Sequence, residues 1–261
     1  MPKLDAYSLK ILAIVGMFTN HFVIALREVL SLPVMIPLYM LGGLTFPIMA
    51  FFVVEGYRHT SNIKRYIARL AIFGILAQPG YIFALRLGQL NIMFTIILSI
   101  LILMIYDRLK SRVLFYIILV PTLFVVSMFF DWPLIGPLVV FLYHAIKTEG
   151  RRRIVSGIVA GAFMTLMTLP LVIGPDVLQN QVLIDATGGM DMAIAVSTFG
   201  IGCFAAAFLI RGYNGERGRR MKWFFYAFYP IHLTVLAVIA LALGLVSFDT
   251  ISDQLASSAG L

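Results

Sequence analysis

The chain has 261 residues, of which 61% are apolar and 12% charged, with a formal net charge of +8 and a mean hydropathy of +0.98. A soluble domain of this length would lack the polar surface to cover such a core, so a soluble fold is excluded. The basic residues stand at the ends of apolar runs, which excludes nucleic acid as their partner and points to cytoplasmic loops and anionic lipid headgroups.

A bilayer core of about 30 Å takes about 20 helical residues, so this length can thread it roughly nine or ten times. The runs are continuously apolar and do not alternate, and an open sheet edge cannot be satisfied in lipid, so strands are not expected. The prediction is all-α: a polytopic helical bundle of about nine transmembrane helices, forming a single integral membrane domain over residues 1–261.

The first span runs from Leu9 to Leu26. Lys3 and Lys10 come before its apolar run, but no small-residue cleavage site follows and a histidine interrupts the run, so it reads as an uncleaved helix. His21 lies eleven residues after Lys10, about three full helical turns, which places both on one face roughly 16 Å apart along the axis. A neutral imidazole at that depth can accept a proton from a nucleophile; the structural alternative is a histidine hydrogen-bonded between helices.

The second span, Pro33 to Tyr57, contains Gly42 and Gly43, which allow close approach, and ends in Glu55, Arg58 and His59. Glu55 and His59 are one turn apart and either orient a substrate or satisfy a helix end. Arg65, Tyr66 and Arg69 open the third span, Tyr66 to Leu87, where they bind phosphate bidentately or grip lipid headgroups. The fourth to sixth spans, Asn91 to Tyr106, Val113 to Phe129 and Trp132 to Ile146, are short. Capping explains Asn91, with Thr95 one turn on, and His144 sits near a cytoplasmic helix end.

The seventh span is Ile154 to Ile173. The gap from Gly174 to Asp191 is the longest and is expected to form an exoplasmic loop. The eighth span, Met192 to Ile210, carries the single cysteine, Cys203, which reads as packing. The ninth, Trp223 to Val246, begins with Lys222, Tyr226 and Tyr229 on one face and His232 one turn beyond, about 15 Å in from the cytoplasmic end. An interfacial aromatic belt accounts for Trp223 but not for a histidine near the midplane. His21 and His232 are therefore expected to face one polar cavity.

Eighteen of the twenty Lys and Arg residues fall at the N-terminus or in alternate gaps, leaving only Arg27 and Arg86 on the other side. The positive-inside rule then predicts a cytoplasmic N-terminus and an exoplasmic C-terminus. No nucleophilic-serine motif, phosphate-cradling glycine loop or spaced ligand set is present, so no metal is expected.

The segments Leu9 to His21, Thr45 to Thr60, Tyr66 to Leu70, Asn91 to Thr95 and Lys222 to Leu233 resemble the TraX family of bacterial membrane proteins, named for a conjugative pilin acetylase and related to the wider acyltransferase-3 class. The resemblance implies a multi-pass enzyme of the bacterial inner membrane. It would move an acetyl group from cytoplasmic acetyl-coenzyme A to an amine or hydroxyl, on a pilin-like N-terminus or an envelope glycan. On that reading His21 is the general base, oriented by Asn20; Tyr226, Tyr229 or His232 donates to the developing oxyanion. Lys10, Glu55, Arg58, His59, Arg65, Arg69, Lys222 and Tyr226 serve the donor. Two departures stand out. Asn20 replaces the usual acidic residue, and an amide orients an imidazole without stabilising its cation; Gly42, Gly43 and Leu44 stand where an arginine is common. They favour the rival reading, a transporter, flippase or assembly factor on the same scaffold.

Overall fold

The computed structural model describes residues 3–173, 188–249 and 251–252, so residues 174–187 of the expected exoplasmic loop lie outside the described residues. Among the described residues the regular elements are helical, apart from two isolated bridges, Leu4 with Tyr213 and Leu90 with Phe130. In chain order the helices are α1 (Ala6–Leu26), α2 (Leu32–Gly42), α3 (Thr45–His59), α4 (Ile63–Leu85), α5 (Ile92–Arg108), α6 (Arg112–Phe124), α7 (Ile135–Ala145), α8 (Glu149–Thr168), α9 (Pro170–Ile173), α10 (Met190–Ser197), α11 (Phe199–Arg211) and α12 (Lys222–Ala242). A short 3-10 turn, Val126–Phe129, extends α6.

Among the described residues six helical stretches are long and apolar enough to cross a membrane: Ala6–Leu26, Leu32–His59, Ile63–Leu85, Arg112–Phe129, Met190–Arg211 and Lys222–Ala242. The other three expected spans correspond to α5, α7 and α8, of 17, 11 and 20 residues. Large apolar side chains turn outward along these helices, Ile75 at 64% and Ile117 at 62% exposure among them. In water this would be a liability; in a chain whose solvent is lipid it is the expected outer surface.

The chain divides into two compact units, one of residues 1–52 and 146–220, the other of residues 53–145 and 221–261. In the first unit, Asp5 caps α1 by accepting from the Ser8 amide at 2.8 Å, and Leu4 pairs with the backbone of Gly212 and Asn214. Small residues set the helix contacts, as in other membrane bundles. A Cβ on Gly16 would meet Leu41 O, and one on Gly157 would come within 2.9 Å of Ala207 Cβ. The second expected span is broken at Gly43–Leu44. There a Cβ on Gly43 would collide with Phe199 O and one on Gly42 would lie 2.7 Å from Asn20 Cβ, so the glycine pair does permit close approach.

In the second unit, α4 and α12 pack along their lengths, and Gly80 lets the α12 backbone at Leu233 and Thr234 come close. The short helices α5 and α7 have a common cause. Asn91, the N-cap of α5, donates from Nδ2 to Gly74 O at 2.8 Å, and Gly74 is the midpoint of Ile63–Leu85. Leu90 N donates to Phe129 O at 3.0 Å and Asp131 N to Leu90 O at 2.7 Å. The segments leading into α5 and α7 thus meet beside the middle of α4. An 11-residue helix is about 16 Å long, half a bilayer core, so α7 needs no more length than it has. Irregular backbone at that level is tolerated where its polar groups are satisfied within the protein, and here the amides of Leu90, Asp131, Trp132 and Leu134 find acceptors in the protein.

Candidate functional site

In the first unit, α1 carries Lys10, Asn20 and His21. His21 is buried. The half-buried Asn20 keeps Oδ1 out of water with no hydrogen-bond partner among the described residues, an acceptor that a ligand or water can use. Lys10 Nζ lies 4.7 Å from the centre of the Phe52 ring. Around it stand two cations that the sequence reading did not single out. Arg152, buried and ion-paired with Glu149 at 3.6 Å, lies over Phe51 at 5.7 Å; Arg153 lies over Tyr213 at 5.5 Å and donates to its carbonyl at 2.7 Å. Tyr213 packs edge-on against both Phe51 and Phe52 at 5.6 Å. Three cations on three rings form a cationic aromatic cluster. Its only trace in the sequence is the run Arg151 to Arg153 ahead of the seventh span, which the charge count absorbed as loop.

The second unit holds the remaining expected residues, in three groups. Arg69 of α4 lies 5.8 Å from the rings of both Tyr66 and Tyr226, with its buried Nε unpartnered. Phe73 stacks on Tyr226 at 5.3 Å, and the exposed Lys222 lies over Trp223 at 5.5 Å. Arg65 is exposed one turn before Arg69. No carboxylate among the described residues pairs with Arg69, so the α4–α12 entrance presents net positive charge framed by aromatic faces.

Arg58 and His59 belong to a different group at the end of α3. His59 Nδ1 donates to Glu55 O at 2.8 Å and stands 4.0 Å from the Glu55 carboxylate. Arg58 donates to His144 O at 2.9 Å, closing the C-terminus of α7. His144 Nε2 is 2.8 Å from Asp107 Oδ1, and Tyr57 donates to Asp107 Oδ2 at 2.8 Å. The pairing of Glu55 with His59 is as the spacing predicts. His144, read as a simple helix-end residue, is joined to an Asp107 that sequence reasoning passed over as loop charge.

The third group is buried beside the middle of α4. Tyr229 and His232 are both buried, with ring centres 5.7 Å apart. His232 Nδ1 is 2.7 Å from Phe228 O; a carbonyl only accepts, so Nδ1 carries the proton and Nε2 is the accepting nitrogen. The Tyr229 phenol reaches toward the backbone of Ile92 and the carboxylate of Asp131. Asn91 is held by Gln78, whose Oε1 accepts from Asn91 N at 3.0 Å and Nδ2 at 2.7 Å. Thr95 Oγ1 donates to Asp131 O at 2.5 Å. Gln78 also lines an apolar groove of about 470 Å³ with Ile75, Pro79, Ile82 and Phe83. Asn91 and Thr95 were legible as a pair; Gln78, Tyr81 and Asp131 were not, because their association depends on the level at which α5 begins.

His21 with Lys10 and Asn20 falls in one unit, and His232 with Tyr229 and the α4–α12 residues in the other. The polar residues at both places lie within a sequence that matches the family described as TraX protein over residues 6–240. The chain belongs to the TraX family. It is similar to a probable fimbrial assembly protein FimC, serogroup H1, of Dichelobacter nodosus, with 28% identity over 249 residues covering 89% of this chain and 94% of that protein. No solved structure matches it. As a TraX protein it is an all-α membrane protein with a relative named for fimbrial assembly, which accords with a pilin-related setting.

Proposed function

We propose that this TraX protein is an acetyltransferase of the bacterial inner membrane, taking its acyl group from cytoplasmic acetyl-coenzyme A. The observation that carries the reading is the uncompensated guanidinium of Arg69 between Tyr66 and Tyr226, with Lys222 and Arg65 beside it. Such a site suits the phosphates and flat adenine of coenzyme A, because guanidinium binds phosphate bidentately and aromatic faces stack on a base. Lys10 assists on the donor side; Glu55, Arg58 and His59 order the α3 end. His21 is the assigned general base of the first unit, with Asn20 as its positioning residue; in the second unit Tyr229 is the assigned oxyanion donor, because His232, with its Nδ1 proton given to Phe228 O, has none on Nε2 to offer. The acceptor is an amine or hydroxyl on a pilin-like protein or an envelope glycan; the first is supported by the fimbrial name of the relative.

The second reading, a transporter, flippase or assembly factor, is favoured by the breaks before α5 and α7, since interrupted helices at mid-depth are how many transporters hold substrate. Calorimetry of acetyl-coenzyme A on the purified protein in detergent separates the two. Arg69→Ala is expected to weaken binding about tenfold, the loss of one bidentate charged contact. His21→Ala should bind as wild type and lose transfer. No binding to folded wild-type protein would leave the transport or assembly reading in its place.

A further inference from the structure

Arg86 closes α4 and is costly there on two counts. Its φ of 57 and ψ of 43 lie in the left-handed region, where helices end on glycine or asparagine far more readily than on a long side chain. It is also one of the two Lys or Arg residues that the charge alternation leaves on the exoplasmic side. The helix dipole welcomes a cation at this end, yet a basic residue one turn earlier would meet that need without the backbone cost. The stripe leading up to Arg86 is largely apolar. Residues 75, 78, 79, 82, 83 and 86 recur at helical spacing along one face of α4, and the first five of them floor the groove of about 470 Å³. The Arg86 amide still donates to Ile82 O at 2.9 Å, so the helical register holds through residue 86.

The facing wall of the groove is the segment after α12. Gly244, at φ 68, turns the chain so that Leu245 N donates to Ala240 O at 2.9 Å. Ile251 is then buried with Ala240 and Val246, Ile82 and Phe83 pack on the same cluster, and Phe248 meets Phe83 edge-on at 5.0 Å. The two polar residues of the lining are spent elsewhere. Gln78 donates to Gln89 O at 2.9 Å and accepts from Asn91, while Ser252 Oγ donates to Asp249 O at 2.8 Å. The groove therefore offers hydrocarbon surface, which suits neither a sugar nor an extended peptide whose backbone groups would go unsatisfied. From Ile75, next to the midpoint of α4, to Phe83 it runs about 12 Å, close to the roughly 15 Å of hydrocarbon in one leaflet. A helix about 10 Å across would need about twice the groove's volume over that length, so a transmembrane segment does not seat in it. An acyl chain does. We propose that this α4 groove, with Arg86 above it, binds a zwitterionic phospholipid of the exoplasmic leaflet, its acyl chain along Ile75, Pro79 and Ile82 and its phosphate at the guanidinium.

The exposed Asp249 on the walling segment selects against a headgroup of net negative charge and complements the cationic end of a zwitterion. The site does not depend on the acetyl-transfer reading, since none of its residues belongs to the donor or histidine groups. Native mass spectrometry of the full chain, titrated in micelles with equal phosphatidylethanolamine and phosphatidylglycerol, tests it. Wild type should carry one phosphatidylethanolamine per chain. Arg86→Gln should weaken that binding by about fivefold, the loss of one charged contact, and Ile75→Trp, which fills the groove, by about tenfold. Arg27→Gln, which removes the other exoplasmic cation, should bind as wild type. No bound phosphatidylethanolamine on wild type, a preference for phosphatidylglycerol, or unchanged binding in either folded groove variant overturns the site. An equal loss in Arg27→Gln overturns it as well, because charge alone would then account for the lipid. Should Arg86→Gln not fold, Ile75→Trp decides, since the exposed Ile75 lies outside the packed core.

Discussion

Glycine positions show how closely the helices of each unit are fitted. A Cβ on Gly80 would lie 2.9 Å from Thr234 N and 3.0 Å from Leu233 C, both backbone atoms that cannot swing aside. On Gly150, at the exposed start of α8, a Cβ meets nothing within 4 Å. Gly80→Ala is therefore expected to destabilise by about 1–3 kcal/mol through overpacking, and Gly150→Ala to be neutral or stabilise by up to about 1 kcal/mol through helix propensity. Thermal unfolding of the two variants in the same detergent checks both; equal melting temperatures would mean that α4 and α12 are not in backbone contact at Gly80. At this scale the sequence was informative about residue type and silent about company. His232 stood out as a histidine that no aromatic belt explains, whereas Arg152 looked like one of three loop arginines until Phe51 and Glu149 were found beside it.

Among the elements, two N-caps of the same sequence class have different duties. Ser111 starts α6 by accepting from Leu114 N at 3.2 Å, and its side chain bonds to no neighbouring helix among the described residues. Asn91 starts α5 by accepting from Met93 N at 3.1 Å, and its amide also reaches Gly74 O and Gln78 Oε1. Ser111→Ala should cost about 1 kcal/mol or less, the cap alone. Asn91→Ala should cost about 2 kcal/mol or more, because it also strips donors from two acceptors on α4. Melting temperatures give the order, and faster proteolysis between residues 86 and 91 in Asn91→Ala should accompany the larger loss. The reading of Asn91 as a cap was correct and incomplete. Spacing along one helix reveals a cap; the partner on α4, thirteen to seventeen residues earlier, becomes visible only when the chain folds back.

For the molecule as a whole, orientation is the property that the charge distribution predicts most directly. Glu28 follows α1 and Gly150 opens α8, on opposite sides if the positive-inside reading holds. Cys203 is fully buried, so a cysteine introduced at either position is the reactive one. A membrane-impermeant maleimide should label Glu28→Cys in spheroplasts and Gly150→Cys only after permeabilisation; the reverse pattern would invert the topology. The sequence by itself determined that the chain is helical and lies in lipid, because continuous apolar runs leave no other way to satisfy the backbone there. It also singled out His21, Arg69, Tyr229 and His232 as polar side chains whose place in or beside an apolar run calls for an explanation, functional or structural. The tertiary structure alone decided that α5 and α7 begin beside the middle of α4, and hence that Asp131, Tyr81, Asn91 and Gln78 meet. Depth and adjacency come from hydrogen bonds between segments distant in the chain, and no local pattern of hydropathy or charge encodes those.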